Sequence, residues 1–179
     1  PDGRFWVRTA KGYALFDKAK EEFHTDFGQF MASLGSKGVP GEVFVDSKGI
    51  EWIYVMGEGC YRYDKQSGSA CFSFLEHKLP ESGISDIAEC KDGILLVYDN
   101  GLLVCFDRDN LTLKWIKEKV KNDNPEGKYL CYSLFVDREE CIWIYSITGV
   151  WAYDLEKDKW LEDVTERWRN QSDFVHCIT

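Results

Sequence analysis

The sequence predicts an all-β fold assembled from four-stranded antiparallel sheets, and three observations carry that prediction. A composite pattern recurs four times at a spacing of 43–47 residues. The second strand expected in each unit is almost wholly apolar, as in Trp52-Ile53-Tyr54-Val55 and Ile142-Trp143-Ile144-Tyr145. An aromatic followed by Asp closes the third strand of every unit: Phe16-Asp17, Tyr63-Asp64, Phe106-Asp107 and Tyr153-Asp154. Features that return together describe one supersecondary unit repeated, and that decides the fold before any residue-level chemistry.

The elements follow in order. A first strand rich in β-formers, Val43-Phe44-Val45 or Ser133-Leu134-Phe135-Val136, ends at Asp46 or Asp137. A turn such as Ser47-Lys48-Gly49 or Lys91-Asp92-Gly93 leads into the second strand. Its column Trp6, Trp52, Leu96, Trp143 advances in steps of 46, 44 and 47, with Leu96 replacing Trp in the third unit and Glu140 replacing Gly in the fourth. Continuous apolarity there implies burial on both faces. A Gly-containing turn (Met56-Gly57-Glu58-Gly59, Asp99-Asn100-Gly101) opens the third strand, and a polar hairpin turn (Lys65-Gln66-Ser67-Gly68) closes it. The fourth strand carries Phe23, Phe72, Trp115 or Trp160, and the mixed composition of Leu113-Lys114-Trp115-Ile116-Lys117 suits an outer edge.

Four such strands, buried on both faces, describe a blade of a β-propeller, whose sheets stack face to face about an axis. The Trp rings then act as packing spacers, each burying enough surface to contribute several kcal/mol. The expected organisation is a partial β-propeller with repeats at about 1–36, 37–79, 80–128 and 129–170. Residues 171–179 read as the first strand of a further blade or as the closing strand of the first. The run Phe174-Val175-His176-Cys177-Ile178-Thr179 could close a four-bladed ring; the favoured reading is a piece of a larger, seven-bladed one.

Composition narrows the function classes. The chain has 179 residues, 44% of them hydrophobic, enough for a real core. A net charge of −9 with no Lys/Arg block argues against a nucleic-acid contact or an anionic-lipid surface. No apolar run approaches the roughly 18 residues of a membrane span. Seven cysteines, an odd number with no C-x-x-C, suit neither a disulfide framework nor a metal site, and the three histidines lie far apart. The thiols read as small buried hydrophobes, and their number leans mildly towards a reducing compartment. No metal, cofactor or catalytic residue is expected, because no nucleophile, phosphate-loop or dinucleotide pattern is present. Glu21-Glu22, Glu139-Glu140 and Glu162-Asp163 read as solvated surface, and Asp17, Asp64, Asp107 and Asp154 as acceptors of Asx-type turns.

The run Asp46-Ser47-Lys48-Gly49-Ile50-Glu51-Trp52-Ile53, followed by Gly59-Cys60-Tyr61-Arg62-Tyr63-Asp64, resembles the two-component regulator propeller repeat. The resemblance covers essentially the whole chain. It implies a non-catalytic, periplasmic sensor segment of a Bacteroides-type hybrid two-component system, with a histidine kinase elsewhere in the full-length protein; a propeller enzyme (lyase or glycosidase) and a structural or dimerising scaffold are the alternative readings. This placement overrides the compartment suggested by the cysteines. It further implies an oligosaccharide ligand derived from a glycan, contacts with other blades and domains of the same protein, and a homodimer. In propellers the loops between second and third strands crowd one face around the axis, where aromatic and polar side chains can meet a sugar. The candidate ligand-binding residues there are Arg8, Lys11, Tyr54, Glu58, Tyr98, Asn100, Tyr145 and Thr148.

Overall fold

The computed structural model describes residues 4–80, 82–118 and 131–171. The proposed terminal strand Phe174–Thr179 lies outside the described residues. The described residues form four antiparallel sheets, each in simple up-and-down order. The first holds β1 (Arg4–Thr9), β2 (Gly12–Asp17) and β3 (Glu22–His24), and a short helix α1 (Gly28–Ser33) follows it. The second holds β4 (Glu42–Val45), β5 (Glu51–Val55), β6 (Gly59–Asp64) and β7 (Gly68–Ser73). The third holds β8 (Ile84–Cys90), β9 (Gly93–Tyr98), β10 (Leu103–Phe106) and β11 (Leu113–Lys117). The fourth holds β12 (Ser133–Val136), β13 (Cys141–Ser146), β14 (Gly149–Asp154) and β15 (Lys159–Trp160), and α2 (Val164–Gln171) ends the described chain. These are propeller blades, as the repeat predicts.

The cores lie between sheets. Trp52, Tyr54 and Phe72 of the second sheet meet Ile94, Leu96, Tyr98 and Phe106 of the third. There Phe72 stacks on Phe106, with ring centroids 4.1 Å apart and planes 8° apart. Leu95, Val97 and Cys105 on the opposite face of the third sheet meet Leu134, Ile142, Ile144 and Tyr153 of the fourth. Covered on both sides, β9 is buried along its whole length, the condition under which a strand becomes uniformly apolar. Between the first and second sheets the packing is thinner, and α1 with its N-cap residue Phe27 enters the wedge, placing Phe27, Phe30 and Met31 in one cluster with Ile53, Val55 and Tyr61.

Two findings depart from the sequence reading. The helices were not expected, although Phe27, Phe30, Met31 and Leu34 have helical spacing. The third blade is also shifted in phase. Trp52 faces the next sheet, and its counterpart by orientation is Leu95, whereas Leu96 faces back towards Trp52. The cause is a two-residue turn, Lys91-Asp92, with Cys90 paired to Gly93. The second blade uses a longer turn, with Val45 paired to Glu51. A bulge between Ile84 and Asp86 adds a further irregularity. Because side chains alternate along a strand, one residue of slip exchanges its faces.

The longer turn has its own logic. Asp46 Oδ1 accepts the N–H groups of Lys48 and Ile50 at 2.9 and 3.0 Å, while Oδ2 accepts the Trp52 indole N–H at 3.0 Å. Asp137 repeats this with Glu139 and Cys141, both at 2.9 Å, and with the Trp143 indole at 2.7 Å. In the third blade the indole comes from the outer strand instead, Trp115 donating to Asp92 at 3.2 Å. At the other turns of this end, Asp17, Asp64, Asp107 and Asp154 accept backbone N–H groups two or three residues on, as an Asx-type turn requires.

Candidate functional site

The inner strands β4, β8 and β12 pack side by side, β8 lying between the other two. They form an axial wall to which β1 contributes from the first sheet. These strands carry three acidic residues, Glu42, Asp86 and Glu89; Glu89 turns to Ser47 and Arg108, and the other two belong to the wall. Glu42 at the start of β4 is buried, and its carboxylate pairs with Arg8 Nη1 at 3.2 Å and accepts a hydrogen bond from the Tyr13 hydroxyl. Arg8 and Tyr13 are opposite one another in the β1–β2 hairpin, so the pleat directs both to one face. Asp86 in β8 accepts the N–H of Leu134, from β12, at 2.8 Å and its neighbour Ile87 N–H at 2.8 Å. A polar path thus runs from Arg8 through Glu42 to Asp86 and the edge of β12, touching all four sheets.

Electrostatics tie the path together. Burial raises the Asp86 carboxyl above the usual carboxylate range, opposed by the Leu134 and Ile87 N–H groups; nearby Glu42 raises it further and Arg8 lowers it. Burial also raises the Tyr13 phenol well above its ordinary value, and the hydrogen bond and charge of Glu42 add to this. Tyr13 therefore stays a neutral donor. Arg8 is the positive member of the path, with a side chain 62% exposed against 7% for Glu42. A wall that offers a guanidinium, a phenol and two carboxylates can donate to and accept from hydroxyl groups. Nothing in it resembles a nucleophile beside a base.

Of the residues singled out from sequence, Arg8 is the one that joins this path. Lys11 is exposed in the β1–β2 turn, where its N–H bonds the Thr9 hydroxyl at 3.2 Å. Tyr54 and Tyr98 are closed off, at 2% and 0% exposure, and both pack against Phe74. They act as packing residues between the second and third sheets. Glu58 accepts the Tyr61 hydroxyl at 2.6 Å. Burial alone would raise its carboxyl, but hydrogen bonds from Tyr61, Ser36 and the Lys37 and Gly38 N–H groups hold it below the usual range. Asn100 caps its own turn by accepting the Leu102 N–H at 3.0 Å. Tyr145 is half-buried near the end of β13, and the Thr148 hydroxyl meets Ser146 at 2.8 Å. The reading missed Tyr13, Glu42 and Asp86. For Glu42 the signal was a carboxylate directly before the apolar run Val43-Phe44-Val45; β8, with Ser85, Asp86 and Glu89, gave none for Asp86.

Among the described residues no group of three or more His, Cys, Asp and Glu side chains is placed to hold a metal ion. No helix among them is long and apolar enough to cross a membrane.

Comparison with known proteins adds the fold-level context. No protein-family model matches the chain, and no curated protein matches it. Solved structures do. One is the extracellular domain of BT3049 from B. thetaiotaomicron, described as a hybrid two-component system: TM-score 0.61, 21% identity, covering 89% of this chain and 21% of that one. Two others are of the extracellular domain of BT4673 from the same organism, described once as a hybrid two-component system and once as a one-component system. They match with TM-scores of 0.60 and 0.57 at 18% and 20% identity, over 88% and 86% of this chain and 19% of theirs. The chain therefore spans about a fifth of the length of the domains it matches. At these identities the likeness establishes the blade fold.

Proposed function

We propose that this chain is a non-catalytic, extracytoplasmic sensor segment of a hybrid two-component signalling protein, placed in the periplasm of a Gram-negative cell. In this reading the axial wall receives an oligosaccharide derived from a glycan, and the engaged blades pass the signal to a histidine kinase in another part of the protein. The observation that carries the reading is the path from Arg8 through Glu42 to Asp86, because a ligand bound there bears on every sheet at once. The shared fold with extracellular domains of such systems supports it. The exposed Arg8 guanidinium serves as the ligand's first donor, while buried Glu42 holds it in place.

Isothermal titration against a panel of plant and host oligosaccharides tests this reading. Binding by at least one, weakened about tenfold or more by Arg8→Ala through loss of a charge-assisted hydrogen bond, is the expected outcome. Silence across the panel, or binding indifferent to Arg8, overturns it.

A further inference from the structure

The wedge between the first two sheets is incompletely filled. Beside α1 a cavity of about 370 Å3 remains, within the size range of small-ligand sites. Trp6, Phe27 and Phe30 form its aromatic wall, the Trp6 ring lying 5.0 Å from that of Phe27 and 6.1 Å from that of Phe30. Three carboxylates line it as well, and each is oriented through one oxygen. Asp17 Oδ1 accepts the Ala19 and Lys20 N–H groups at 3.0 and 3.2 Å. Asp26 Oδ1 accepts the Gly28 N–H at 3.0 Å, and Glu51 Oε2 the Trp6 indole N–H at 2.9 Å. The second oxygen of each has no hydrogen bond among the described residues. Lys20 and Gln29 add an ammonium and an amide to the lining.

We propose that this cavity binds one ring of a neutral saccharide. Three fixed acceptor groups beside aromatic rings suit a ligand with many hydroxyl donors and an apolar C–H face. The carboxylates disfavour an anion. The Lys20 ammonium offsets one of the three carboxylates, and the Lys20 and Gln29 donors need acceptors that a polyol has and an alkylammonium lacks. The proposal shares no residue with the axial wall, so it stands or falls separately from the sensor reading.

The test is a titration of the 15N-labelled whole chain with glucose, galactose, mannose and xylose, and separately with tetramethylammonium. It follows the Trp6 indole N–H resonance, assigned by its loss in Trp6→Phe. At least one sugar is expected to move that resonance to saturation while leaving the Trp52 indole in place. Asp26→Asn and Lys20→Ala are each expected to weaken the effect about tenfold, with retained β2 amide resonances showing that the first sheet is folded in the variants. A Trp6 indole that no sugar moves, saturation unaltered in both variants, or a response to tetramethylammonium in place of the sugars overturns the proposal.

Discussion

A single carboxylate does three tasks at the turn after β4. Asp46 is buried and accepts two backbone N–H groups and the indole of a fully buried Trp. Its removal leaves the Trp52 N–H without a partner and the turn without its cap. Asp46→Ala is therefore expected to lower unfolding stability by about 3 kcal/mol, read from urea midpoints. Asp137→Ala should cost less, because Trp143 is half-buried and its N–H can turn to water. The same group gives a dependence on pH. Burial alone would raise the Asp137 carboxyl, yet the Trp143 indole and the Cys141 and Glu139 N–H groups hold it below its ordinary value of 3.8. A lowered folded pKa contributes stability that is fully present above that ordinary value and lost as pH falls through the folded one. Thermal midpoints should thus drop below pH 3.8 in the wild type and drop less steeply in Asp137→Asn.

At the scale of the element, the strand ends decide register. Gly59 opens β6 at φ 155°, and a Cβ there would stand 2.3 Å from the Phe72 carbonyl oxygen of the paired strand. Gly59→Ala should therefore destabilise by about 2 kcal/mol or more, because backbone must move to admit it. At the far end of the chain, Thr165 Oγ1 donates to the Val150 carbonyl at 2.5 Å and accepts its N–H at 3.2 Å, clipping α2 to β14. Thr165→Val should speed hydrogen exchange at the Val150 amide without altering that of β9. The strands themselves were legible in the sequence, because burial on both faces writes an apolar run that no turn chemistry can imitate. The phase of the third blade was not. Gly93 matches Gly49 by spacing, but a two-residue turn places it inside the strand, and letters alone do not reveal which residues a turn consumes. Nor was the axial wall legible. Glu42 and Asp86 lie 44 positions apart, and their meeting depends on how the sheets converge.

Across the whole molecule, stability is uneven. The junction of the second and third sheets holds stacked rings with no exposure, so Phe72→Ala should cost about 3–5 kcal/mol. Phe5→Ala on the outer face of the first sheet, where the ring is 51% exposed, should change stability by under about 0.5 kcal/mol. The first sheet is held by a thin aromatic cluster and by the Trp6–Glu51, Arg8–Glu42 and Tyr13–Glu42 contacts. Its amides in β2 should accordingly exchange ahead of those in β9, as native-state exchange would record. The clasp between turn carboxylate and indole bears on how such an array can grow. In the second and fourth blades both ends of that clasp lie within one sheet and within six positions of sequence. A duplicated stretch of gene would carry the device whole, leaving only the greasy flanks to be fitted to a newcomer.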